Sequence, residues 1–191
     1  KDAKVQRNKG LVLKKLERYD DAIACYDKAI ELDPKYANAW NGKGNTLLSL
    51  KRYEDAIACY DKAIEIDPKD ADVLHNKGVV LRKLERYEDA IACNDKVIEI
   101  DPKDVKVLHN KGLALKKLER YEDTITCYDK AIEIDPKYVN AWNSKGNALL
   151  TLKRYEDAIT CYDKAIEIDP KYEHAWRKKG LVIEKLIKNE D

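Results

Sequence analysis

Apolar residues recur along this chain at helical spacing, in two separate runs within every 34 residues. In residues 37–70, Trp40, Gly44, Leu47, Leu48 and Leu50 fall on one face of a helix over about 37–50. Ala56, Ile57, Tyr60, Ala63, Ile64 and Ile66 do the same for a second helix over about 54–66. Lys51 and Arg52 close the first helix where its dipole favours cations, and Glu54 and Asp55 open the second where it favours anions. Pro68 stops the second helix, because its ring removes a donor and clashes with the preceding turn. Gly44 and Ala56 are small enough for the helices to cross closely, and Tyr53 and Tyr60 fill the wider gaps. The pattern predicts an antiparallel helix pair joined by a tight turn.

The pair is written several times. Pro34, Pro68, Pro102, Pro136 and Pro170 keep the 34-residue step, as do Gly10, Gly44, Gly78, Gly112, Gly146 and Gly180. The repeats run over about 3–36, 37–70, 71–104, 105–138 and 139–172, with a last first-type helix over about 173–187. A fixed period of this length predicts a solenoid, each repeat burying its apolar face against the next. A single array over residues 1–191 with one continuous core is expected. Such an array presents a long surface, which argues against a single catalytic pocket. A longer period of 102 residues lies above the first: residues 37–70 return as 139–172 and residues 11–36 as 113–138. A three-repeat block has been duplicated.

Charged residues make up 38% of the chain, yet the net charge is +1. The overall charge therefore gives no pull toward nucleic acid. No apolar run approaches 18 residues, so no membrane span is expected. No signal-peptide pattern opens the chain. It begins at Lys1 and contains no Met, as a piece of a longer protein would, and a cytoplasmic location is expected. The five cysteines come one per repeat. Neighbouring copies should lie about 10 Å apart, the spacing of packed helices, beyond the roughly 7 Å limit for a disulfide. Reduced, semi-buried thiols are expected. No nucleophile, phosphate loop or metal-ligand spacing stands out, so no catalytic residue, metal or cofactor is expected. His75 and His109 occupy equivalent places in adjacent repeats, too few for a metal.

The series Trp-x-x-x-Gly, Tyr, Ala, Tyr, Ala, Pro in a 34-residue unit resembles the tetratricopeptide repeat of archaeal and bacterial proteins, across essentially the whole chain. The resemblance implies an all-α fold, a right-handed α-solenoid superhelix of antiparallel helix pairs. It also implies a protein-interaction scaffold without enzymatic activity. There are departures. Lys43, Lys77, Lys111 and Lys145 precede the glycines where the family often has leucine. Lys51, Glu85, Glu119 and Lys153 replace the usual turn glycine, which predicts strain there. The third repeat is the least regular, with Asn94 in place of an aromatic, expected half-buried, and Val97 in place of alanine.

In this family the first helix of each pair lines a concave groove. Counting from each glycine, the groove positions of the first, third, fourth and last repeats hold twelve Lys or Arg against Asp72 and Glu184. His75, Asn76, Arg82 and Lys83 belong to this wall, as do Lys106, His109, Asn110, Lys116 and Lys117. The second and fifth repeats offer Asn38, Asn41 and Asn45, and Asn140, Asn143 and Asn147. Spacings of three and four place each trio on one helix face, and an amide both donates to and accepts from peptide backbone. The expected partner is an extended acidic protein segment, steered inward by the basic wall. One rival is a regulatory or targeting region of a larger enzyme. Another is nucleic-acid binding through the same wall, against which no aromatic is interleaved for base stacking. Val182, Ile183, Leu186 and Ile187 give the last helix a broad apolar face, and weak head-to-tail self-association is expected from it.

Overall fold

The structure, a computed structural model, describes residues 2–189. Among the described residues there are eleven helices and no strand. They are α1 (Ala3–Lys15), α2 (Tyr19–Leu32), α3 (Ala37–Ser49), α4 (Tyr53–Ile66), α5 (Ala71–Lys83), α6 (Tyr87–Ile100), α7 (Val105–Lys117), α8 (Tyr121–Ile134), α9 (Val139–Thr151), α10 (Tyr155–Ile168) and α11 (Glu173–Asn189). The chain divides between Ile100 and Asp101 into two compact bodies. The division falls where the duplicated three-repeat block begins again.

Each first helix crosses its second at the repeat glycine. A side chain at Gly44 would begin 2.7 Å from the ring of the fully buried Tyr60, and one at Gly146 would begin 2.7 Å from Tyr162. In the third repeat Asn94 takes the tyrosine's place beside Gly78. Asn94 is only 3% exposed, so it is buried rather than half-buried, and the buried Val97 fills space that alanine leaves elsewhere.

Helix entry is solved in two ways. Asp70 caps α5 by accepting from the Val73 N–H at 3.1 Å, and Asp104 caps α7 from Lys106 and Val107. Helices α3, α9 and α11 follow a tyrosine instead. There the indole N–H of Trp40, Trp142 or Trp176 donates to the carbonyl of Pro34, Pro136 or Pro170.

The turns carry the expected strain. Glu17, Lys51, Glu85, Glu119 and Lys153 all lie in the left-handed region, with φ of 58–60°. The Arg52 N–H returns to the Leu47 carbonyl at 2.9 Å and the Lys51 N–H to Leu48 at 3.0 Å, closing the helix end in the manner that usually recruits glycine.

Neighbouring repeats are also tied by ion pairs. Lys43 reaches Asp27 at 2.6 Å and Lys179 reaches Asp163 at 2.6 Å; Lys77 and Lys145 do the same with Asp61 and Asp129. In the N-terminal body α1 touches α3 and α3 touches α5; in the C-terminal body α9 touches both α7 and α11. Among the described residues no two second helices touch within a body. First helices therefore form the closer-packed layer of each body.

Candidate peptide-binding faces

In the N-terminal body the face is built on α1, α3 and α5. Asn41, Asn45 and Asn76 come together there. Asn45 Nδ2 donates to Asn41 Oδ1 at 3.0 Å, and Asn76 Nδ2 reaches the same oxygen at 3.4 Å. The Tyr60 hydroxyl donates to Asn45 Oδ1 at 2.8 Å. Much of this trio's hydrogen-bonding capacity is thus used inside the protein; Asn41 Nδ2 and Asn76 Oδ1 remain. Asn38 is exposed and outside the network, and His75 is half-buried. Lys83 is exposed, whereas Arg82 is half-buried with its Nε covered and without a hydrogen-bond partner.

The C-terminal face is built on α7, α9 and α11. His109 Nε2 lies 2.9 Å from Ser144 Oγ, with its ring against Tyr128 and Tyr138. Asn140 accepts from the Tyr172 hydroxyl at 3.0 Å, and Asn147 Oδ1 from that of Tyr162 at 3.1 Å. Asn143 Oδ1 is covered and has no hydrogen-bond partner. Asn110 is half-buried; Lys106 and Lys117 are exposed. The Lys116 ammonium is held below its usual range, first by burial and then by the charges of Lys178 and Lys117.

The opposite side of each body carries a cleft between successive second helices. One of about 500 Å³ is walled by Trp40 and floored by Leu47 and Cys59, and its counterpart of about 440 Å³ is walled by Trp142. The charges at its rim are already paired, Lys43 with Asp27 and Arg52 with Asp55. The Lys43–Asp27 pairing was not foreseen from the sequence, because its partners lie sixteen residues apart on helices of different repeats. Three other first-helix cations differ from Lys43: Lys83, Lys116 and Lys117 make no ion pair with any described residue.

Family models for the tetratricopeptide repeat match residues 7–71 and then 71–104, 105–138 and 139–172. The chain belongs to the tetratricopeptide repeat family. It is a repeat scaffold of the protein-interaction kind. Among solved structures it is similar to YrrB, described as a TPR protein with an unusual peptide-binding site. The identity there is 27%, over 94% of this chain and 92% of that one, with a TM-score of 0.81. It shares its fold with MamA from Desulfovibrio magneticus RS-1, at 22% identity over 89% and 96% of the two chains and a TM-score of 0.83. PilF of Pseudomonas aeruginosa has the fold too, at 19% identity over 98% and 86% and a TM-score of 0.80. No curated protein matches the chain. No helix among the described residues is long and apolar enough to cross a membrane.

Proposed function

We propose that the first-helix faces of this repeat protein bind an extended acidic segment of a partner protein. The observation that carries this reading is a set of first-helix cations without a carboxylate partner. The first-helix lysines that reach the preceding repeat are paired, as Lys43 is with Asp27 and Lys145 with Asp129. Lys83, Lys116 and Lys117 on the first helices are left without a carboxylate. Unpaired cations on one face attract anions and speed their encounter. Asparagines supply backbone recognition beside them, with Asn41 and Asn76 in one body and Asn143 and Asn147 in the other. Arg82, Lys106 and Asn110 extend the polar face, with His75, His109, Asn38 and Asn140 at its margins. The similarity to YrrB, a protein described as having a peptide-binding site, supports a peptide as the ligand class.

Fluorescence anisotropy with a labelled hexaglutamate peptide tests the reading. Binding should weaken about tenfold when Lys83, Lys116 and Lys117 are changed to Glu, and the difference should shrink as salt rises, because exposed charges are screened beyond about 8 Å at physiological ionic strength. Wild-type binding indifferent to salt would refute the steering. A single-stranded RNA of equal length that binds more tightly than the peptide would replace a protein partner with a nucleic acid.

A further inference from the structure

Helix α11 is seated as a first helix, but among the described residues no second helix covers it. Its seat matches the others. Lys179 reaches back to Asp163 at 2.6 Å, as Lys43 does to Asp27, and Ala175 and Val182 are buried with residues of α10. The other side differs. Trp176, Gly180 and Ile183 follow one another at spacings of four and three, so they share a face. Position 183 matches Leu13, Leu47, Leu81, Leu115 and Leu149, which are at most 8% exposed, whereas Ile183 is 40% exposed. Trp176 is 53% exposed, where its counterpart Trp142 is half-buried. A side chain at Gly44 or Gly146 would begin 2.7 Å from a tyrosine ring, but one at Gly180 would meet nothing within 4 Å. Helix α11 also runs for 17 residues, through the position at which α9, with 13, turns back over Lys153.

The same face therefore occurs five times in this chain under a second helix and once bare. Those five precedents define what fits it. Helix α10 brings Ala158, Tyr162 and Ala165, at spacings of four and three and all fully buried. The alanines let two helices approach closely, and the tyrosine ring lies on the glycine, where no side chain obstructs it. A second copy of the chain covers the face less well. Its end helix α1 has no aromatic residue, and its Tyr26, Tyr60, Tyr128 and Tyr162 are already buried. We propose that the bare side of α11 docks one amphipathic helix of a partner protein, with the spacing Ala-x-x-x-Tyr-x-x-Ala. Its ring sits on Gly180 beside Ile183, and the docked helix completes a sixth repeat. This site stands whether or not the first-helix faces bind an acidic segment.

Fluorescence titration of the 191-residue chain, reduced and at a concentration where it sediments as a monomer, tests the site. The probe is the acetylated, amidated peptide of residues 155–168. It should bind at roughly 10–500 µM, because so short a helix must fold as it docks. Indole emission should shift to the blue as Trp176 leaves water, and Trp176→Phe should remove the shift. Tyr162→Ala in the peptide should weaken binding at least about tenfold by deleting the aromatic anchor; alanine favours helix more than tyrosine does, so the loss is one of contact. Gly180→Leu in the chain should weaken binding as much by filling the seat of the ring. Its melting temperature should not fall, since leucine is the better helix former and the space is open. Leucine adds apolar surface, so equal or tighter binding by this variant would reveal indiscriminate adhesion and overturn the site. No binding up to about 1 mM, a Tyr162→Ala peptide that binds equally well, or a blue shift that survives Trp176→Phe would overturn it too. A dimer that Ile183→Lys dissociates and the peptide does not would make the occupant a second copy and overturn the partner helix.

Discussion

At the scale of single residues, the cysteines show what burial does to chemistry. All five are free and buried. The thiols of Cys59 and Cys161 are pushed from 9.0 up to about 11, by burial before any neighbouring charge. Burial also raises Tyr60 and Tyr162. In the unfolded chain these thiols ionise near 9, and in the folded chain only near 11. The stability they contribute is intact below pH 9 and is lost as pH rises through that window, by on the order of 2–3 kcal/mol each. Thermal melts at pH 8 and pH 10.5 should differ markedly for the wild type and less for Cys59→Ala/Cys161→Ala. Equal pH dependence in the two proteins would show that the thiols do not carry the effect. The burial of these small residues was legible in their 34-residue register, although full burial exceeds the partial burial expected. The closure of Asn45 onto Asn41 was not legible. Helical spacing puts both on one face but says nothing of which amide atom turns toward the other.

At the scale of elements, the helices end where the sequence marks them. Proline and the paired charges at each turn fix the boundaries to within about a residue, so α3 and α4 fall almost where the apolar periodicity places them. The turn itself is where this chain departs from the usual chemistry. A residue with a side chain costs about 1–2 kcal/mol in the left-handed region, while glycine gives back about 0.5–1 kcal/mol through its freer unfolded state. Lys51→Gly and Lys153→Gly should therefore each stabilise by roughly 0.5–1 kcal/mol, read as a higher urea midpoint with an unchanged slope. A lower midpoint would mean that these lysines make compensating interactions in the folded state. The ion pairs of Lys43 and Lys77 illustrate the opposite case. Each replaces an expected apolar residue, and the reason appears only when the second helix of the preceding repeat is in place beside it.

At the scale of the whole molecule, the 102-residue period and the division between Ile100 and Asp101 describe the same block, once as sequence and once as packing. The terminal helices differ from the expectation in one respect. Val182 is fully buried, because it falls on the side of α11 that packs against α10 with Ala175. The exposed apolar face of α11 is instead Ile183 and Ile187, one turn apart at 40% and 60% exposure, with Leu181, at 40%, on another side of the helix. Beside it, Gly180 has nothing within 4 Å, where the glycines at 44 and 146 each meet a tyrosine. Helix α1 exposes Val5 and Val12 at 60% and 57%, and its C-cap Leu16 is 63% exposed. Apolar faces of this kind favour contact, and two unlike faces on one chain make a head-to-tail association that need not close into a ring. Sedimentation velocity of this chain should show a weight-average coefficient that rises with concentration. Ile183→Lys/Ile187→Lys should abolish the rise without lowering the melting temperature, since both side chains are exposed in the single molecule. A wild type that stays monomeric at high concentration would show that neither face contributes to self-association, and a variant that still associates would place the contact elsewhere.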